Sequence, residues 1–153
     1  MYTSLPAKNR QTIIRERAAS LFDQSWFVGK VQDAFYRVAR QRSDMLELPR
    51  IADDKLAIDW LERTAIPIDR ILGSNGRPDR FNRNLHPRQR RDKNRWMSVA
   101  VAMMSDITLL PPIEVVEYDD LYYVVDGHHR VSVARALRKI AIDANVVRWH
   151  VES

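Results

Sequence analysis

Twelve consecutive residues, Tyr123-Val124-Val125-Asp126-Gly127-His128-His129-Arg130-Val131-Ser132-Val133-Ala134, gather the side chains best suited to chemistry. The β-branched and aromatic residues before Asp126 read as a strand, Gly127 as a turn, and His128 onward as the start of a helix. A helix N-terminus offers unpaired N–H groups and a partial positive charge, the two properties that hold an anion. Gly127 lets the backbone approach such a ligand with no side chain in the way. Arg130 is able to bond two phosphate oxygens together, while His128 and His129 are able to donate a hydrogen bond and exchange a proton near neutral pH. Asp126 repels phosphate but suits Mg2+ or the orientation of an attacking hydroxyl. A plain helix start, with Asp126 as cap and solvated histidines, accounts for each residue singly but not for all of them side by side. The assignment is therefore phosphate binding by Gly127, His128, His129 and Arg130, with Asp126 and His129 as catalytic candidates and Asp126 as a Mg2+ ligand. Arg130 is expected to face solvent, so that its loss removes binding and spares the fold.

The elements that must position this junction are legible in part. Residues 1–65 read as a helical segment: a helix over 9–22 with an apolar stripe from Ile13 to Phe22, a second over 26–48, and a short third over 53–63 opened by Asp53-Asp54 and burying Leu56, Ile58, Trp60 and Leu61. Residues 66–153 read as a separate α/β domain. It begins with a strand over 66–72 and continues through a loop to a helix over 93–104, where Trp96, Val99, Ala100 and Met103 share a face. Two strands over 113–118 and 121–125 flank Asp119-Asp120 as a hairpin. A helix over 128–138 follows, and a strand over 140–147 with Ile140, Ile142, Ala144 and Val146 on one side closes the domain. The N-terminal helices have wide apolar faces, which must dock on this domain or on a second copy in a homodimer.

Composition removes several chemistries. The 153 residues contain no cysteine, which excludes disulfides, thiolate nucleophiles and cysteine-bound metals. Zinc is not expected: the histidines at 128 and 129 are adjacent and point about 100° apart on a helix, while His86 and His150 lie in unrelated segments. No apolar run approaches membrane length and no apolar signal core opens the chain, so a cytoplasmic protein is expected. The net charge is +5, and its distribution says more than its sum. Residues 70–95 hold nine basic side chains against two acidic ones. Within that stretch Arg88, Arg90, Arg91, Lys93 and Arg95, beside Trp96, are the candidates for contacting a nucleic-acid backbone.

The motif also carries a resemblance. Leu110-Pro111-Pro112-Ile113-Glu114-Val115, then Val125-Asp126-Gly127-His128-His129-Arg130 and the closing Ile142–Val147 segment, resemble the ParB/sulfiredoxin superfamily. The likeness covers about residues 66–148, and it implies a small mixed-sheet α/β domain. Ile66–Ile71 is similar to that domain's opening strand, and Arg77 falls in its arginine-bearing loop, which adds Arg77 to the phosphate-binding candidates. In the sulfiredoxin branch a reactive cysteine stands where this chain has His128, so the sulfur chemistry does not transfer. The ParB branch implies a nucleoside triphosphate, CTP or ATP, with Mg2+. Free-serine kinases share the Asp-Gly-His-x-Arg form, but their early catalytic glutamate has no counterpart: no glutamate lies between Ile66 and Met104. The glycine usual after the motif helix is replaced by Arg138. The resulting expectation is a nucleotide-phosphate-binding module serving a DNA-associated regulator or partition-type protein. The alternatives are a small-molecule kinase and a ParB-like nuclease or NTPase.

Overall fold

A computed structural model describes residues 6–76, 79–105 and 109–152. Its centre is a mixed sheet whose strands run in the order β1-β4-β6-β5-β7-β2, with β3 also paired to β7. The strands are β1 (Leu46–Glu47), β2 (Leu56–Trp60), β3 (Thr64–Pro67), β4 (Ile71–Ser74), β5 (Ile113–Tyr118), β6 (Leu121–Asp126) and β7 (Ala141–Val151). Three helices accompany them: α1 (Ala7–Val38), α2 (Lys93–Met104) and α3 (His128–Ala136). The architecture is the expected mixed α/β sheet with an N-terminal helix.

The C-terminal half follows its sequence pattern closely. β5 and β6 form the hairpin, and both Asp119 and Asp120 have positive φ, 51° and 63°, as a two-residue primed turn demands. Aspartate tolerates that region better than most residues, which is why Asp-Asp suffices. Beyond α3, Arg138 takes the left-handed conformation (φ 58°) that glycine normally fills. The Lys139 N–H then donates to the Ala134 carbonyl and completes the helix stop. β7 is longer than the expected 140–147 strand, because its far half pairs with β2. Of its expected inward residues, Ala144 and Val146 are buried, whereas Ile140 precedes the strand and is exposed.

The N-terminal half departs from expectation in two ways. The two helices placed at 9–22 and 26–48 are one helix of 32 residues ending at Val38. Nothing near Asp23 breaks it: proline is absent between Pro6 and Pro49, and the docked face runs through Ala18, Phe22, Ser25 and Gly29 without a step. The third helix is instead one 3-10 turn, Asp53–Lys55, followed by β2. Leu56, Ile58 and Trp60 fit a period of two, whereas on a helix Ile58 would point away from the other two, and the free edge of β7 supplies the backbone partners for the strand. Ile58 and Trp60, expected to be buried, are exposed. The sheet therefore takes strands from both sides of residue 65.

One core lies between sheet and helices, built on Ile71, Ile113, Val115, Val124 and Val131. A second, made by Phe22, Ala18, Trp96, Ala100 and Val133, joins α1 to α2 and α3. Trp96 fills its centre: its indole N–H donates to Ser132 Oγ at 2.9 Å, and its ring meets Phe22 edge-on at 5.6 Å. Further along α1, the chain comes within reach of His86, where a Cβ on Gly29 would stand 2.7 Å from the His86 Cβ. Ser25 Oγ and His86 Nδ1 are 2.9 Å apart beside that contact. α1 is thus docked on the α/β body from Ala18 to Tyr36.

Candidate anion-binding cleft

Parallel pairing of β4 with β6 sets the site. It aligns Ser74 with Val124, so the ends of both strands open toward the first turn of α3. Between them lies a cleft of about 420 Å3, walled by Asn75, Gly76, Phe81, Arg80 and Arg95 on one side and by residues 125–130 on the other. Gly127 makes the turn with φ 107°. A Cβ there would come 2.5 Å from Ile113 Cγ2, so the fold requires glycine for space as well as for conformation. No side chain caps α3, and its first N–H groups have no acceptor within the helix.

The two histidines are held differently from each other. His128 Nε2 lies 2.6 Å from Ser74 Oγ, and its ring stacks on Phe81 at 6.1 Å. Burial keeps its pKa below the ordinary value, against the opposing pull of the Asp126 charge. His129 is buried and sits edge-on to Phe81 at 5.3 Å. Its pKa falls to about 4, first through burial and next through the Arg95 charge. It is therefore neutral at pH 7, and the proton exchange near neutrality expected of it does not fit this environment. Its Nε2 is buried with no hydrogen-bond partner among the described residues.

Arg130 does not face solvent. Its side chain is 13% exposed and bonds the Pro111 carbonyl at 2.6 Å, the Pro112 carbonyl at 2.9 Å and Asp126 Oδ2 at 2.9 Å. It ties the helix start to the chain entering β5, so replacing it would disturb the fold. Arg80, which the motif did not single out, pairs with the buried Asp92 at 2.7 Å and lines the cleft. Arg95 also lines it, is exposed, and has no ion-pair partner among the described residues. Asp126 is exposed and is the one carboxylate among the described lining residues. Glu114 lies beside it in the β5–β6 ladder but outside the cleft, and Glu117 pairs with Arg148 at 3.0 Å. Arg77 lies outside the described residues.

The basic segment divides. Arg88 is drawn into ion pairs with Asp33, at 3.2 Å, and with Asp44. Arg90 and Lys93 both reach Asp23 of α1, at 3.4 and 2.9 Å, and lie over the Trp26 and Phe22 rings. Arg91 is exposed. The structure thus brings Arg95 to the motif and leaves Arg88, Arg90 and Lys93 fastening α1. Among the described residues no group of three or more histidine, aspartate or glutamate side chains is placed to hold a metal, and no helix is long and apolar enough to cross a membrane.

The comparisons add little to this geometry. No family model and no curated protein matches the chain. Among solved structures it is similar to sulfiredoxin from Arabidopsis thaliana, over 56% of this chain and 84% of that one, at 21% identity and a TM-score of 0.42.

What sequence reasoning missed was the far wall. Ser74, Asn75, Arg80 and Phe81 stand some fifty residues from Gly127, and the β4–β6 pairing that joins them leaves no local pattern. The uncompensated basic charge of residues 70–95 was the one available signal, and it did not separate Arg80 from Arg88.

Proposed function

We propose that the cleft binds the phosphates of a nucleoside triphosphate, CTP or ATP, making this chain a nucleotide-binding module. The observation that carries the reading is the buried His129 Nε2 beside an uncapped helix N-terminus and Arg95, both without a partner among the described residues. A buried polar nitrogen without a partner costs about 1–3 kcal/mol, and an anion accepting from a neutral imidazole removes that cost. Arg95 would supply the charge, while Arg80 and His128 shape the wall. Mg2+ typically takes one or two carboxylates and completes its shell with phosphate oxygens and water. Asp126 is the available carboxylate, though it must share its oxygen with Arg130.

Slow or absent turnover is expected, since no second carboxylate lines the described cleft to act as base. A DNA-associated role rests on less: within the Arg88–Arg95 cluster, Arg91 and Arg95 are the exposed basic residues without ion pairs among the described residues. Calorimetric titration with ATP, CTP, GTP and ADP, with and without Mg2+, tests the reading. Binding that Arg95→Ala weakens supports it. Failure of all four to bind refutes it.

A further inference from the structure

α1 has a second apolar face, on the side away from the residues that dock it. Phe27 and Phe35 are each 63% exposed, Val31 53% and Val38 85%. They lie at spacings of four, four and three, which on a helix makes one continuous ridge. On the docked side the same turns bury Phe22, Ser25 and Gly29. Exposed apolar residues scattered singly need no explanation, but a contiguous ridge with two phenylalanines on a regular helix marks a contact surface.

We infer that this face is where two copies of the chain meet, through an antiparallel α1–α1 crossing centred on Val31. The ridge Phe27-Val31-Phe35 reads the same in both directions. A two-fold axis at Val31 therefore sets Phe27 of each copy against Phe35 of the other, with Val31 on Val31. An isologous contact requires that self-complementarity, and ridges of residues four apart interdigitate at about 50°, the commonest helix crossing. At about 200 Å2 per phenylalanine the four side chains still offer roughly 450 Å2 of apolar surface per copy. Gln24, Ala34 and the stem of Lys30 extend this toward the roughly 800 Å2 per partner of a stable interface. A patch below that size favours a reversible dimer over a permanent one. It lies apart from the cleft and does not depend on the nucleotide reading.

The absence of native cysteine provides a direct test. In a variant with Val31→Cys the two thiols sit on the axis, so mild oxidation of the full chain should give a disulfide-linked dimer. Arg15→Cys lies on the same helix, but its counterpart, position 47, is beyond the end of α1, so it should stay monomeric. Sedimentation velocity across a hundredfold concentration range should show a monomer–dimer equilibrium for the native chain. Val31→Glu sets two like charges face to face and should raise the dissociation constant about tenfold or more, with an unchanged circular dichroism spectrum because the residue is half exposed. A native chain that is monomeric throughout overturns the inference. So do equal cross-linking at 15 and 31 and a dimer indifferent to Val31→Glu.

Discussion

Two sets of basic residues sit close together in the chain and differ in what surrounds them. Arg88, Arg90 and Lys93 each meet a carboxylate of α1 or of the loop after it, and two of them also cover an aromatic ring. Their charge is spent holding the long helix to the sheet. Arg95 stands two residues beyond Lys93 and so on another side of α2, faces the cleft and has no such partner among the described residues. Excess basic charge in a sequence therefore marks where anions gather, without saying whether the anion is a ligand or the protein's own aspartate. Partnering decides it.

Breaking the structural set should have the largest effect. Arg88 is 18% exposed and Asp33 16%, so Arg88→Ala leaves a mostly buried carboxylate without its cation. Loss of a buried partner costs about 3–5 kcal/mol, and the partial exposure of Asp44 places the expected loss near the lower end, about 3 kcal/mol. Urea unfolding followed by circular dichroism would measure it. A loss below 1 kcal/mol would mean that the contact is a surface pair and that Arg88 is free to serve a ligand.

Gly127→Ala comes next. It forces an alanine into φ 107° and drives its Cβ against Ile113. Strain and overpacking together should cost about 2–3 kcal/mol. The same unfolding experiment reports it, and a neutral result would mean that the turn relaxes and that the glycine serves ligand approach alone.

How far the sequence disclosed all this depends on how local the cause was. The hairpin, α2, α3 and the strand–Gly–helix junction follow from turn chemistry and periodicity within a dozen residues, and they stand where expected. β2 was hidden because Leu56 and Trp60 also stand at helical spacing behind a good cap, and the period of two through Ile58 finds its partner only at the distant edge of β7. The continuity of α1 was hidden because Asp23-Gln24-Ser25 looks like a break, until Ser25 is seen facing His86. In the site, the motif residues were legible but not their roles. Arg130 reads as a phosphate ligand, and the structure turns it inward on the Pro111 and Pro112 carbonyls. Arg80 reads as one charge among nine and lines the cleft.

Arg95→Ala tests the other side of the comparison. The side chain is exposed, so the unfolding midpoint should hardly move, while a charge-assisted hydrogen bond to phosphate is worth about 1.5–3 kcal/mol. Nucleotide affinity should fall roughly 10- to 100-fold by calorimetry. Equal affinity in the variant and the native chain would remove Arg95 from the site.

The last effect concerns protons. In the unfolded chain the His129 imidazole titrates near 6.5, and in the folded chain at about 4. Between those values the unfolded state binds the proton and the folded state does not, so stability is full above pH 6.5 and declines as pH falls toward 4. His128 and His86, also lowered by burial, act in the same direction. The His129 share is isolated by His129→Gln, which should flatten part of the decline in the urea midpoint between pH 7 and 5. Phosphate opposes the shift: an anion against the ring favours the charged form and raises its pKa. The ring-proton resonance of His129 should therefore titrate at about 4 in the free protein and at a higher pH with triphosphate bound, with proton uptake on binding at pH 5. A titration midpoint that triphosphate leaves unmoved would place the anion elsewhere in the cleft, away from the unpartnered nitrogen.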